Sequence, residues 1–185
     1  MGKFINDAVM DAALDEIATS DKMTACTAQP ATYYEAVDAA AWLATTAYAS
    51  GDAARPVTRN GYCYEVTTAG TSGASEPTWP TTPGNTVVDG TVTWTCRNNY
   101  AVTENAALTG GDFTKANGDT SGRKTTVASK PGVNIHTTGT VDHVAMVDDT
   151  DKSLQLVTTC TSQALTSGGT VTFPSFDADE IADAA

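Results

Sequence analysis

The sequence predicts a mainly β, antiparallel fold: a β-sandwich or barrel-like scaffold with one N-terminal α-helix and a small inserted β-module. Three observations predict it. Charged residues make up only 17% of the chain, and threonine, alanine and glycine fill the gap, a composition that suits pleated, half-buried surfaces. Beyond residue 44 the apolar residues come in short alternating runs separated by Gly, Asn, Asp and Pro clusters, the mark of antiparallel strands joined by tight turns. All three tryptophans (Trp42, Trp79, Trp94) and four of the seven prolines fall between residues 41 and 97, as in a module placed inside a different scaffold. The 185 residues accommodate a discontinuous scaffold, 1–40 with 98–185, around an insert at 41–97.

The helix is expected over Asn6–Ala18. Ile5, Val9, Ala13 and Ile17 repeat at i+4, and Met10 and Leu14 widen the stripe. Asn6 or Asp7 is the N-cap, Phe4 or Ile5 the hydrophobic staple, and Asp11, Asp15 and Glu16 fall mostly on the outer face. A helix this short needs a surface to dock on. A strand over Met23–Ala28 is stopped by Gln29-Pro30, and the Ala-rich stretch Thr32–Ala44 holds a helical turn. Further strands are expected at 63–67, 91–96, 124–128, 133–136, 141–147, 154–159 and 170–173. Thr137–Thr140 reads as a hairpin loop, with further turns at Asp148–Lys152 and Ser167-Gly168-Gly169. The acidic tail from Asp177 onward is expected to end in a mobile stretch.

Charge and motifs narrow the function. The net charge of −12 argues against nucleic acid, which needs a basic stripe, and against anionic membrane surfaces. No run approaches the ~20 apolar residues that span a bilayer. Met1-Gly2-Lys3-Phe4 leads into no apolar signal segment, so synthesis in a cytoplasm is expected; Asn6 stands where a myristoylation motif needs a small hydroxyl residue. Cys26, Cys63, Cys96 and Cys160 lie outside zinc-ligand spacings. They read as buried thiols; Cys63 with Cys96, both in the insert, is the one disulfide pairing expected, formed only in an oxidising medium. His136 and His143, on one face of the expected hairpin, have no third ligand in register. Asp148, Asp149 and Asp151 are too irregularly spaced for a calcium loop. No P-loop, nucleophile elbow or paired carboxylate appears, so no catalytic residues, metal or cofactor are expected and the chain reads as a non-enzyme.

The insert is the most distinctive stretch. Asn60-Gly61 and Asp89-Gly90 are tight-turn signals. Tyr62 and Tyr64 share a strand face, and Pro77 and Pro80 hold Trp79 in a stiff loop. Trp42, Tyr48, Tyr62, Tyr64, Trp79 and Trp94 read in two ways, as the core of a minimal fold or as a platform of ring faces for a glycan or partner. The order Trp42, Tyr48-x-x-Gly51-Asp52, Asn60-Gly61-x-x-Tyr64, then Pro near Trp79, resembles the chitin-binding β-modules of secreted chitinases. The run Gly70-Thr71-Ser72-Gly73-x-Ser75-Glu76-Pro77-x-Trp79-Pro80, closing with Asp89-Gly90-Thr91-Val92-x-Trp94, resembles more closely a module that recurs in phage tail, fibre and head-appendage proteins. The flanks, among them Lys3-Phe4-Ile5-Asn6-Asp7, Cys26–Ala36, Gly118–Lys124 and Val157–Gly168, are similar to small proteins encoded among phage structural genes.

The resemblance implies a non-enzymatic virion protein of a tailed bacteriophage. Its partners would be other virion proteins, the major capsid protein first, and further copies of itself. A capsid decoration or cement protein with an outward module is the first expectation. A glycan- or receptor-binding adhesin of the tail tip or fibre is the second, its ligand a host-surface or environmental glycan. A head–tail connector component is the third.

Overall fold

The computed structural model describes residues 5–181. Met1–Phe4, on which the N-terminal motif readings and one staple residue fall, lie outside the described residues, as do 182–185. In chain order the elements are α1 (Asp7–Ile17), β1 (Lys22–Cys26), α2 (Tyr33–Ala36), β2 (Ala47–Tyr48), β3 (Ala53–Ala54), β4 (Tyr62–Thr68), β5 (Gly70–Thr71), β6 (Thr86–Asp89), β7 (Val92–Asn98), β8 (Ala106–Ala107), a 3-10 turn at Gly110–Asp112, β9 (Phe113–Asn117), β10 (Arg123–Val127), β11 (Lys130–Asn134), β12 (Gly139–Asp148), β13 (Ser153–Leu165), β14 (Thr170–Phe173) and β15 (Phe176–Ile181). The fold is mainly β with antiparallel sheets and an N-terminal helix, as its sequence predicts.

A four-stranded sheet ordered β13-β12-β1-β8 forms the middle of the scaffold. Both faces of its inner strands are covered. Met23, Ala25, Val144 and Met146 point into one core with Val127, Ile135, Leu165 and Phe173. Cys26, Ala145 and Val147 point the other way, into a second core with Tyr33, Ala36 and Val37 around α2. The run Val144–Val147 is therefore apolar without alternation, as a strand covered on both sides requires. Thr24, 1% exposed, is tolerated on the α2 side because its hydroxyl donates to the Ala36 carbonyl (2.5 Å). The first core is closed by the β15-β10-β9 sheet and the β11-β14 pair.

Helix α1 begins where its cap predicts: the Asn6 side chain accepts from the Ala8 N–H at 2.8 Å. Its buried residues are Met10 and Leu14, with Ile17 packed at the core edge. Val9, expected in the stripe, is 63% exposed. The stripe is narrower because ion pairs set the docking angle. Asp11 accepts from Arg123 (2.8 Å) and Asp15 pairs with Lys115 (2.6 Å), so two acids expected on the outer face tie the helix to β10 and β9.

Two further expectations are corrected. Residues 137–140 do not close a hairpin: the strand before them, β11, pairs with β14, and β12 pairs with β1 and β13. His136 and His143 therefore do not share a hairpin face. The acidic tail forms β15 as far as Ile181, pairing with β10, and Lys124 holds Asp177 at 3.0 Å; the end of the tail, expected to be mobile, lies outside the described residues. The strand expected at 154–159 runs on to Leu165 as β13. The turn at Asp148–Lys152 is present: Asp148 caps it by accepting from the Thr150 and Asp151 N–H groups.

Leu14→Ala is expected to destabilise the protein by about 3 kcal/mol, the usual cost of truncating a buried leucine, whereas Val9→Ala should stay within about 0.5 kcal/mol. Urea unfolding of the two variants checks which face of α1 is docked.

Candidate functional site

The insert is organised by a two-faced sheet ordered β3-β4-β7-β6. Register places Tyr64 opposite Cys96 and Val66 opposite Trp94, while Cys63 faces Arg97 and Glu65 faces Thr95. Residues directly opposite share a face. One face thus carries Tyr62, Tyr64, Val66, Trp94 and Cys96, and these gather with Trp42, Val92, Tyr48 and Trp79 into a separate aromatic core. The other face carries Cys63 into the core around α2, beside the Arg97–Glu65 ion pair (2.6 Å). The expected Cys63–Cys96 disulfide is overturned by this alternation. The two thiols lie on opposite faces of the sheet, and both are free. Burial pushes the Cys63 and Cys26 thiols up to about 12, which keeps them unreactive. Cys160 alone among the four is exposed.

Asp89 stands at the centre of the aromatic core. It ends β6 and is 4% exposed. Its Oδ2 accepts from the indole Nε1 of Trp42 (2.8 Å) and of Trp94 (3.3 Å), and its Oδ1 from the Gly73 N–H (2.8 Å). Three donors for one buried carboxylate supply what removal from water takes away. The motif glycines follow from this packing. Gly90 has φ +61°, and a Cβ there would sit 2.4 Å from the Thr71 carbonyl; at Gly73 it would sit 2.7 Å from Asp89 Oδ1. Ser72 completes the cradle, donating to the Leu43 carbonyl (2.7 Å) and accepting from the Thr46 N–H (2.9 Å).

The rings stack around Trp94. Tyr48 meets it edge-on at 4.8 Å, Trp79 edge-on at 5.5 Å, and Tyr64 lies 4.2 Å from Trp79. The Tyr64 hydroxyl donates to the Pro80 carbonyl and accepts from Asn60 Nδ2, both at 2.7 Å. Trp79 Nε1 donates to Glu76 (2.8 Å), which also accepts from the Val57 N–H. Trp42, Tyr64 and Trp94 are 6%, 0% and 0% exposed. The glycan-contact expectation is therefore corrected for these three: no ring face is open, and both indole N–H groups are spent on Asp89. Tyr48, Tyr62 and Trp79 are half-buried at the rim, so only these three of the six expected contact residues reach solvent.

A second cluster joins the insert to the scaffold. Arg59 clasps Asp38 with both guanidinium nitrogens (2.6 and 3.1 Å). Asn105 bonds the Asp38 backbone twice, and Asn99 donates to the Tyr34 and Val37 carbonyls (2.9 and 2.8 Å). Arg55 Nε and His136 Nε2 lie 3.9 and 3.8 Å from Asp38 Oδ1, beyond hydrogen-bond reach. Asp38, Arg55, Arg59, Asn99 and His136 line a cavity of about 230 Å³ together with Tyr62 and Tyr100. Burial holds the His136 pKa below its ordinary 6.5, with Arg59 and Arg55 acting in the same sense and Asp38 against it. No sequence signal marks the cluster. Asp38, Arg59 and His136 are far apart in the chain and belong to no motif. Elsewhere, His143 bonds only its neighbour Asp142 (2.6 Å). Asp149 is held by Lys22 (2.7 Å), Lys152 (3.0 Å) and the Tyr33 hydroxyl. No group of three or more metal-ligating side chains is found among the described residues.

No family model, curated protein or solved structure matches this chain.

Asp89→Ala would leave two indole N–H groups and one amide without their acceptor. It is expected to cost about 3 kcal/mol or more, with tryptophan emission shifted to the red as the aromatic core opens. His136 supplies a pH test. Its folded pKa is depressed, so the unfolded chain binds the proton more tightly. The stability it contributes is complete above 6.5 and falls as pH drops through 6.5 toward the folded value. Thermal melts across this range should show a smaller acid-side loss in His136→Gln than in the wild type.

Proposed function

We propose that the chain is a non-enzymatic structural component of a tailed-bacteriophage particle, a decoration or cement protein bound to the capsid through its scaffold, with the aromatic module facing outward. One observation carries this over the adhesin reading: the module's aromatic face is closed on itself. Trp42, Tyr64 and Trp94 are consumed by Asp89, Pro80 and one another, and the opposite face is fastened to the scaffold around α2. A rigid module with its rings inward suits a part that resists deformation better than a head built to stack on sugars. Likeness of the flanks and insert to phage structural and appendage proteins supports the same reading. The acid-rich composition fits a protein facing away from packaged DNA.

The adhesin reading keeps one foothold, the rim formed by Trp79, Tyr62 and Tyr48. Imaging of particles separates the two. Density for this protein at symmetric sites on the head, lost when its gene is deleted together with some heat resistance of the capsid, is the expected result. Density only at the tail would overturn it. Glycan-array binding lost in Trp79→Ala would move the assignment to the adhesin.

A further inference from the structure

Strand β13 is the outer strand of the central sheet, hydrogen-bonded on one side only, to β12. Proteins blunt such edges by making them short, charged or proline-bearing. The other edges among the described residues do so. β15 carries Asp177, Asp179 and Glu180, β9 carries Lys115, and β11 carries Lys130 and Pro131. β2, β3, β5 and β8 have two residues each, and β6 and β14 have four. β13 runs for 13 residues, Ser-Leu-Gln-Leu-Val-Thr-Thr-Cys-Thr-Ser-Gln-Ala-Leu, with no charge, proline or glycine. Its one protective feature is a pair of bulges, one at Gln155 and a wider one in which Cys160–Ser162 stand against Asp142 alone; the ladder is regular from Leu156 to Thr159 and again from Gln163 to Leu165. Residues 159–164 are exposed without alternation, so this half of the strand is covered on neither face. Against it lies a hollow of about 180 Å³, its floor formed by Val144, Phe173, Pro174 and Phe176 and its rim by Thr158, Thr159, Cys160 and Asp177, the Asp177 carboxylate being held by Lys124 and Thr126.

We propose that this edge pairs with the same edge of a second copy of the chain, antiparallel about a two-fold axis, with an apolar side chain of each partner strand seated in the hollow. Charge selects the occupant. Two copies of net charge −12 repel over most of their surfaces, and β13 is a long strip where neither brings a charge. An antiparallel pair of identical strands is self-complementary and leaves neither edge open. The proposal concerns the isolated chain and stands or falls separately from the assignment to a capsid.

Sedimentation of the full chain tests it. At about 100 µM, where even a micromolar Kd leaves most chains paired, the wild type should run as a dimer. Thr159→Lys/Thr161→Lys, both exposed, should run as a monomer and melt where the wild type melts at dilutions that dissociate it. Thr172→Lys, equally exposed but on β14, should remain dimeric. Cys160 gives a second measurement that needs no variant: its reaction with a disulfide reagent should slow at least tenfold between dilute and dimeric solutions. A monomeric wild type, a Thr159→Lys/Thr161→Lys variant that still associates, or a Cys160 rate independent of concentration would each overturn the proposal.

Discussion

A carboxylate taken out of water must be met by donors, and in this protein that requirement is satisfied at Asp89 by two tryptophan indoles and a backbone amide. Much of the insert follows from it. The indole bonds fix Trp42 and Trp94 relative to the β6–β7 turn, and Trp94 in turn seats Tyr48 and Trp79. The close approach of Gly73 and Gly90 to their neighbours is the steric consequence of wrapping a short loop around one buried charge. A module this small has few aliphatic residues to bury, so large rings with polar handles form its core, and each handle has to find an acceptor.

The same arrangement decides how the insert is carried. With its aromatic face turned inward, the sheet offers its other face, through Cys63, to the layer around α2, which also packs on the central sheet through Thr24, Ala145 and Val147. Asp38 and Arg59 close this joint, and Asn99 and Asn105 stitch the chain leaving α2 to the segment that returns from the insert. The result is a stack: the paired outer strands, the central sheet, α2, then the module sheet. A stiff stack whose outermost layer shows little open ring surface is the physical content of the structural-protein reading. It leaves two places for partners to act, the half-exposed rim at Trp79 and the uncharged edge of β13.

Several elements were legible in the sequence because their causes are local. Asn6 bonds an amide two residues away, the Asp148 turn closes on its own amides, and the Asp89-Gly90 signal marks the two-residue turn Gly90-Thr91, whose glycine takes a positive φ. The apolar alternation at Tyr62–Val66 and Val92–Cys96 marks strands wherever their partners lie. Helix α1 was readable as a helix, but Val9 and Met10 are adjacent on its surface, and which of them is buried depends on the ion pairs of Asp11 and Asp15 with a sheet formed a hundred residues later.

The sequence by itself therefore determined the antiparallel β class, the single capped helix, most strands and the concentration of aromatic residues at 41–97, all of which follow from periodicity, turn chemistry and composition. Only the tertiary structure decided which aromatics are core, because exposure depends on what closes over a ring. It alone showed that Cys63 and Cys96 lie back to back, because strand register sets the face. It also decided that His136 meets Asp38 rather than His143, and that β13 is left at an edge while the acidic tail is taken into a sheet. Those outcomes rest on pairings between segments far apart in the chain, and no local pattern in this sequence encodes them.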